Sequence, residues 1–104
     1  MEDILESIEL IEKYIGNLEF DGFSKDRKTV DAVVRNFEII GEASKYIPDY
    51  IKEKHTDVDW IGIVGLRNRI AHDYFGVSLE IVWNIVKQEL PKLQNQMKQI
   101  LKGD

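Results

Sequence analysis

The stretch "GLRNRIAHDYFG", Gly65 to Gly76, gathers two arginines, an asparagine, a histidine and a tyrosine. Arg67 and Arg69 are permanent cations, Asn68 carries an amide, and His72 an imidazole that titrates near neutral pH. A fixed cation, an amide and a titratable imidazole within six residues, flanked by glycines, are the parts needed to hold a phosphate and move a proton. Each residue alone has a plainer reading. An arginine can run its stem along apolar surface, or pair with a glutamate of a neighbouring helix such as Glu38 or Glu42. A histidine at the edge of an apolar stripe is more often structural than catalytic, and a lone tyrosine is most often a core aromatic with its hydroxyl at the surface. The combination favours chemistry.

The surrounding periodicity makes the placement unusual. At about 100° per residue, with Trp60 at zero, Ile63, Val64, Ile70 and Ala71 fall within roughly 80° of it. Arg67 lands near the centre of that apolar stripe, at about −20°, and Tyr74 at about −40°. Asn68 and His72, four apart, share one edge of it, while Arg69 and Asp73 point away. A cation in such a stripe needs compensation, since burying it unpaired costs on the order of several kcal/mol.

The elements that must carry this stretch are helical almost throughout. Ile4, Ile8, Ile11, Ile15 and Leu18 recur at spacings of four and three, with charged residues between them. "GNLEFDGFS" supplies Gly16, Gly22 and a candidate N-cap, Ser24. A second segment carries Val30, Val34, Phe37, Gly41 and Ser44, flanked by Val33, Ile40 and Ile47, with Gly41 and Ala43 small enough for another helix to approach closely. Pro48 suits the first turn of a short helix, and Thr56 with Asp59 resembles a capping pair opening the third segment. Gly76 is a stop and Ser78 a restart. The last segment runs Val82, Ile85, Val86, Leu90, Leu93, Met97, Ile100 and Leu101, and Pro91 should kink it while disfavouring helical geometry at Leu90. No stretch alternates with period two for long enough to claim a strand. The expected fold is all-α: an antiparallel four-helix up-and-down bundle, with a short extra helix between helices 2 and 3, formed by residues 1–104 as one domain.

Composition narrows the function classes. The 104 residues carry 14 basic and 19 acidic side chains, a net charge of −5, which argues against coating nucleic acid through bulk electrostatics. A small cationic site on an acidic body remains open. The absence of cysteine removes disulfides and thiolate metal sites, and the acidic, amphipathic N-terminus is built unlike a signal peptide. No apolar run approaches the roughly 18 residues of a membrane span, so no membrane association and a cytoplasmic location are expected. His55 and His72 are the sole histidines, without H-E-x-x-H spacing or clustered acidic ligands, so no metal or other cofactor is expected and His55 reads as a surface loop residue. "GIVGLRNR" lacks the ending of a phosphate-binding P-loop.

"RNRIAH" is R-N-x-x-x-H, and the chain resembles the HEPN domains, which are helical bundles carrying that signature. The longer "RNRIAHDY" resembles their HepT branch, as do Trp60, seven residues before Arg67, and the downstream "VWNIVKQELPKL". The likeness covers nearly the whole chain. It implies a metal-independent ribonuclease, the toxin of a toxin–antitoxin pair, acting as a homodimer in which two copies of the motif line one composite cleft. It also implies a small MNT-type nucleotidyltransferase as antitoxin, which silences the toxin by attaching AMP to Tyr74. In that reading Arg67, Asn68 and His72 are the catalytic residues, with Arg69 a candidate for positioning RNA, although a solvated surface arginine is its plainer reading. His72 suits removal of the 2′-hydroxyl proton, and Arg67 stabilisation of the crowded phosphorane. On an ideal helix Arg67 and His72 sit about 140° apart, which a cleft shared across a two-fold axis would relieve. Two rival readings remain: a non-catalytic binding module of a nucleotidyltransferase, and a structural dimer using Trp60, Ile63 and Trp83.

Overall fold

The computed structural model describes residues 2–66, 68–69 and 79–103. Among these the chain is helical, without a strand: α1 (Glu2–Ile15), α2 (Phe20–Lys25), α3 (Arg27–Lys45), α4 (Asp49–Lys54), α5 (Trp60–Val64), α6 (Leu79–Asn84), a π-helical turn (Ile85–Glu89) and α7 (Leu90–Gly103). The helical bundle expected from the periodicity is the architecture observed, and α4 is the short extra helix. Residues 70–78, with Gly76 and Ser78 as expected stop and restart, lie outside the described residues.

α1 and α3 pack along one another, and their apolar stripes form the main seam. Ile4, Ile8, Ile11 and Ile15 are buried in one cluster with Val30, Val33, Phe37 and Ile40. Each such side chain contributes about 1.5–3 kcal/mol of burial. The side chains of the ion pairs Lys25–Asp21, Arg27–Asp31 and Lys45–Glu42 are all exposed, and such pairs contribute about 1 kcal/mol at most. The apolar seam therefore decides the fold. The last helix closes it: α7 lies against α1, and Leu90, Leu93, Met97 and Ile100 enter the same cluster, whereas Leu101 is exposed, contrary to its place in the expected stripe. Two polar side chains inside the seam are satisfied locally. Ser44 Oγ donates to the Ile40 carbonyl at 2.8 Å, and Asn36 Nδ2 to that of Ala32 at 2.9 Å.

Several junctions differ from their sequence expectation. The chain leaves α1 through Gly16, whose φ of +51° needs glycine and lets its amide reach the Glu12 carbonyl at 2.9 Å. Ser24 is not a cap. Residues 20–25 form a helix of their own, in which Ser24 Oγ donates back to the Asp21 carbonyl, and the cap of α3 is Asp26. Its carboxylate accepts from the Thr29 amide at 3.2 Å and hydroxyl at 2.8 Å, which Ser24 stands too far upstream to do. Pro48 stands just before α4, not inside it. Asp59 alone caps α5, without Thr56, and the third segment is not one unbroken helix: α5 stops at Val64 and the chain turns at Gly65.

The loss of helical geometry expected at Leu90, before Pro91, does not occur. Leu90 keeps helical geometry, φ −63° and ψ −40°, and the chain stays helical from Leu79 to Gly103. Widening occurs instead before the proline, where the Leu90 amide donates to the Ile85 carbonyl, five residues back. Proline has no N–H and its ring crowds the carbonyl four residues earlier, so a π turn keeps the helix continuous.

The two Thr29 bonds, hydroxyl before amide, hold the Asp26 carboxyl below the ordinary carboxylate range. A lowered pKa adds stability that is present above the unfolded-state value and lost as pH falls through the folded one. Thermal melts should therefore show the midpoint dropping as pH falls below about 4. Asp26→Asn should flatten part of that drop; an equally steep drop would remove the cap from the acid response.

Candidate active site

The stretch that carries the candidate chemistry is reached through α5, and α5 is held by its surroundings. It has five residues and no fully buried side chain, too little to persist alone. Three contacts fix it. The Asp59 carboxylate accepts from the Gly62 amide at 3.0 Å and caps its first turn. Trp60 Nε1 donates to the His55 carbonyl at 2.9 Å, tying α5 to the end of α4. Gly41 of α3 lies directly under it: a Cβ there would stand 3.3 Å from the Val64 carbonyl oxygen and 3.4 Å from that of Ile63. The small residue foreseen for a close helix approach does serve one. His55 is half-buried, with Nε2 shielded from solvent, and so is not the surface residue expected.

Beyond α5 the chain turns at Gly65, and Leu66 drops into the core at 3% exposure. That anchor sets the outward direction of the next turn. Asn68 and Arg69 are helical and exposed, and the Arg69 amide donates to the Gly65 carbonyl at 3.0 Å. Arg67, His72 and Tyr74 lie outside the described residues, as do Ile70 and Ala71.

Arg69 faces a specific partner on the last helix. Its Nη1 donates to Glu89 Oε1 at 3.2 Å and its Nη2 to Glu89 Oε2 at 3.0 Å, a two-pronged pair across the bundle. Both side chains keep solvent access, at 39% and 46% exposure. Glu89 is the last residue of the π turn and also borders a cavity of about 210 Å³ floored by Ile63, Leu66, Ile85, Leu90 and Leu93. Sequence reasoning missed Glu89, because nothing in the chain's spacing joins residues 20 positions apart. Of the candidate partners named for an arginine here, Glu42 is engaged by Lys45 at 3.0 Å. Trp83, named for a dimer surface, packs within the chain on Phe23 and Phe20, at ring-centre distances of 5.1 and 6.0 Å, with Lys87 Nζ 4.9 Å above it.

The sequence profile described as "Ribonuclease HepT-like" matches residues 4–100, the whole helical core together with "RNRIAHDY". The chain belongs to the ribonuclease HepT-like family. A protein of Thermococcus cleftensis named "Probable ribonuclease HepT" is 41% identical over 102 residues, covering 98% of this chain and 93% of that protein. One from Caldanaerobacter subterraneus subsp. tengcongensis, named as a candidate RNase, is 40% identical over 104 residues, with 100% and 93% covered. In Methanocaldococcus jannaschii, a protein named as a gamma-glutamylcyclotransferase and candidate RNase is 41% identical over 98 residues, covering 94% of this chain but 44% of that protein. No solved structure is a significant match. Among the described residues of this HepT-like chain, no helix is long and apolar enough to cross a membrane.

Because α3 meets the backbone of α5 at Gly41, a branched side chain there should push α5, and with it Leu66 and Asn68, away from the bundle. Gly41→Val is expected to cost about 1–3 kcal/mol in chemical denaturation. Activity should fall further than stability. An unchanged denaturation midpoint would mean that the two helices can separate freely.

Proposed function

We propose that this HepT-like protein is a metal-independent endoribonuclease, with Arg67, Asn68 and His72 as its catalytic residues and Arg69 binding substrate phosphate. The observation that carries the reading is a family match across residues 4–100 in a chain that holds R-N-R-x-x-H between glycines. His72 takes the proton of a ribose 2′-hydroxyl, and the freed oxygen attacks the adjacent phosphorus. Arg67, always charged and forked, grips the phosphate oxygens as negative charge builds on them. The bond to the 5′-oxygen then breaks, that oxygen takes up a proton, and a 2′,3′-cyclic phosphate remains. Asn68 orients the phosphate or the imidazole.

The biological reading is that of a cytoplasmic toxin, one domain over residues 1–104, working as a homodimer whose two motifs line a composite cleft. Its antitoxin is an MNT-type nucleotidyltransferase that attaches AMP to Tyr74. A bulky anion beside Arg67 blocks RNA and cancels the local positive charge. The solvent-facing positions of Asn68 and Arg69 support a site open to a large substrate.

The test is RNA cleavage in excess EDTA, on both tRNA and mRNA, with intact mass recorded on the same samples. Wild-type protein should cut and leave cyclic phosphate ends. His72→Ala should lose about 100-fold or more, the usual contribution of a general base. Failure of folded, unmodified wild type to cut either RNA would favour the non-catalytic partner module instead. Tyr74→Phe should still cut, yet gain no adenylate mass and escape silencing when expressed with its nucleotidyltransferase. Full silencing of that variant would remove Tyr74 from the regulatory scheme.

A further inference from the structure

The Arg69–Glu89 pair lies at the edge of the proposed site, and the ribonuclease reading makes no use of Glu89. Three features of the pair bear on its role. Its geometry is two-pronged, at 3.0 and 3.2 Å, and a guanidinium uses that same fork to hold two oxygens of a phosphate. Both members stay open to solvent, at 39% and 46% exposure, so an incoming anion can reach the guanidinium. The carboxylate is presented by the end of a π turn, a distortion that recurs at functional positions and that Pro91 imposes here.

From this we infer that Glu89 is an internal stand-in for RNA phosphate, an intramolecular latch that occupies Arg69 until a phosphodiester of the substrate displaces it. The inference rests on the ribonuclease reading and deepens it, since it names the residue that regulates access to the substrate-binding cation. An exposed ion pair is weak, so the exchange is easy and reversible. A carboxylate on this site also repels loosely held polyanions, leaving ligands that offer phosphate in the right register. In a chain of net charge −5, such a latch keeps the cation matched while RNA is absent. Glu89 acts through Arg69, as a positioning residue, and touches no reacting atom.

The experiment measures binding of a fluorescein-labelled, single-stranded RNA of mixed sequence by anisotropy, across a salt series. All proteins carry His72→Ala so that the probe stays intact. Glu89→Gln, which keeps shape and loses charge, should tighten binding by up to about fivefold at low salt, the ceiling that an exposed ion pair sets. Because no displaced carboxylate then has to regain a cation from solution, the slope of log affinity against log salt should also steepen. Glu9→Gln, an exposed substitution on α1 with the same change in net charge, controls for overall electrostatics and should tighten binding less. Adding Arg69→Ala to Glu89→Gln should abolish the improvement and leave the affinity of Arg69→Ala alone.

Two results would overturn the latch: a Glu89→Gln improvement no larger than that of Glu9→Gln, or one that survives loss of Arg69. The expected binding pattern, together with failure of folded protein with His72 intact to cleave RNA, would support the latch and sink the ribonuclease reading. No RNA binding by any of these proteins would overturn both.

Discussion

Backbone-to-backbone contact between α3 and α5 at Gly41 is the constraint on which the candidate site depends. A five-residue helix with no fully buried side chain has little stability of its own, and the peptide groups of Ile63 and Val64 rest where a Cβ would crowd them on any residue but glycine. The Asp59 cap and the Trp60 bond to His55 set where α5 starts and how it is turned. Gly41 sets how close it lies. From there the turn at Gly65 and the burial of Leu66 oblige Asn68 and Arg69 to face water. The segment nearest the chemistry is thus held by the bundle and contributes little to holding it.

A second constraint comes from the far side of the same surface. Pro91 cannot donate to a carbonyl one turn back, and the helix answers with a π turn ending at Glu89. The carboxylate there meets the guanidinium of Arg69, so a defect in one helix and an exposed cation on another segment become a single feature. Such a pair adds little to folding, since water screens it. Its interest lies in charge matching: in a chain with 19 acidic and 14 basic side chains, an exposed cation is held against a carboxylate. Family membership places this chain among ribonuclease HepT-like proteins, and the relatives align over nearly all of it.

Helix existence, the apolar stripes of α1, α3 and the last helix, and the family signature were legible in the sequence. Stripes are periodic, and a period of about 3.6 survives any detail of packing. Junctions were less legible. Ser24 and Asp26 are both good capping residues, and the choice between them depended on whether "FDGFSK" would form a helix of its own against α3 and α6. Leu101 fits the stripe but is exposed, while Ile100 beside it is buried.

By its own order of residues, this chain determined that it would be a helical bundle, where its core faces lie, and which six-residue motif bears the candidate chemistry. Local spacing encodes all three, because helical periodicity and motif registry involve neighbours in the chain. Tertiary structure alone decided that Gly41 seats α5, that a π turn precedes Pro91, and that Glu89 meets Arg69. Two of these join groups far apart in sequence, which local spacing does not encode, and the third is a change of hydrogen-bond register that periodicity does not announce.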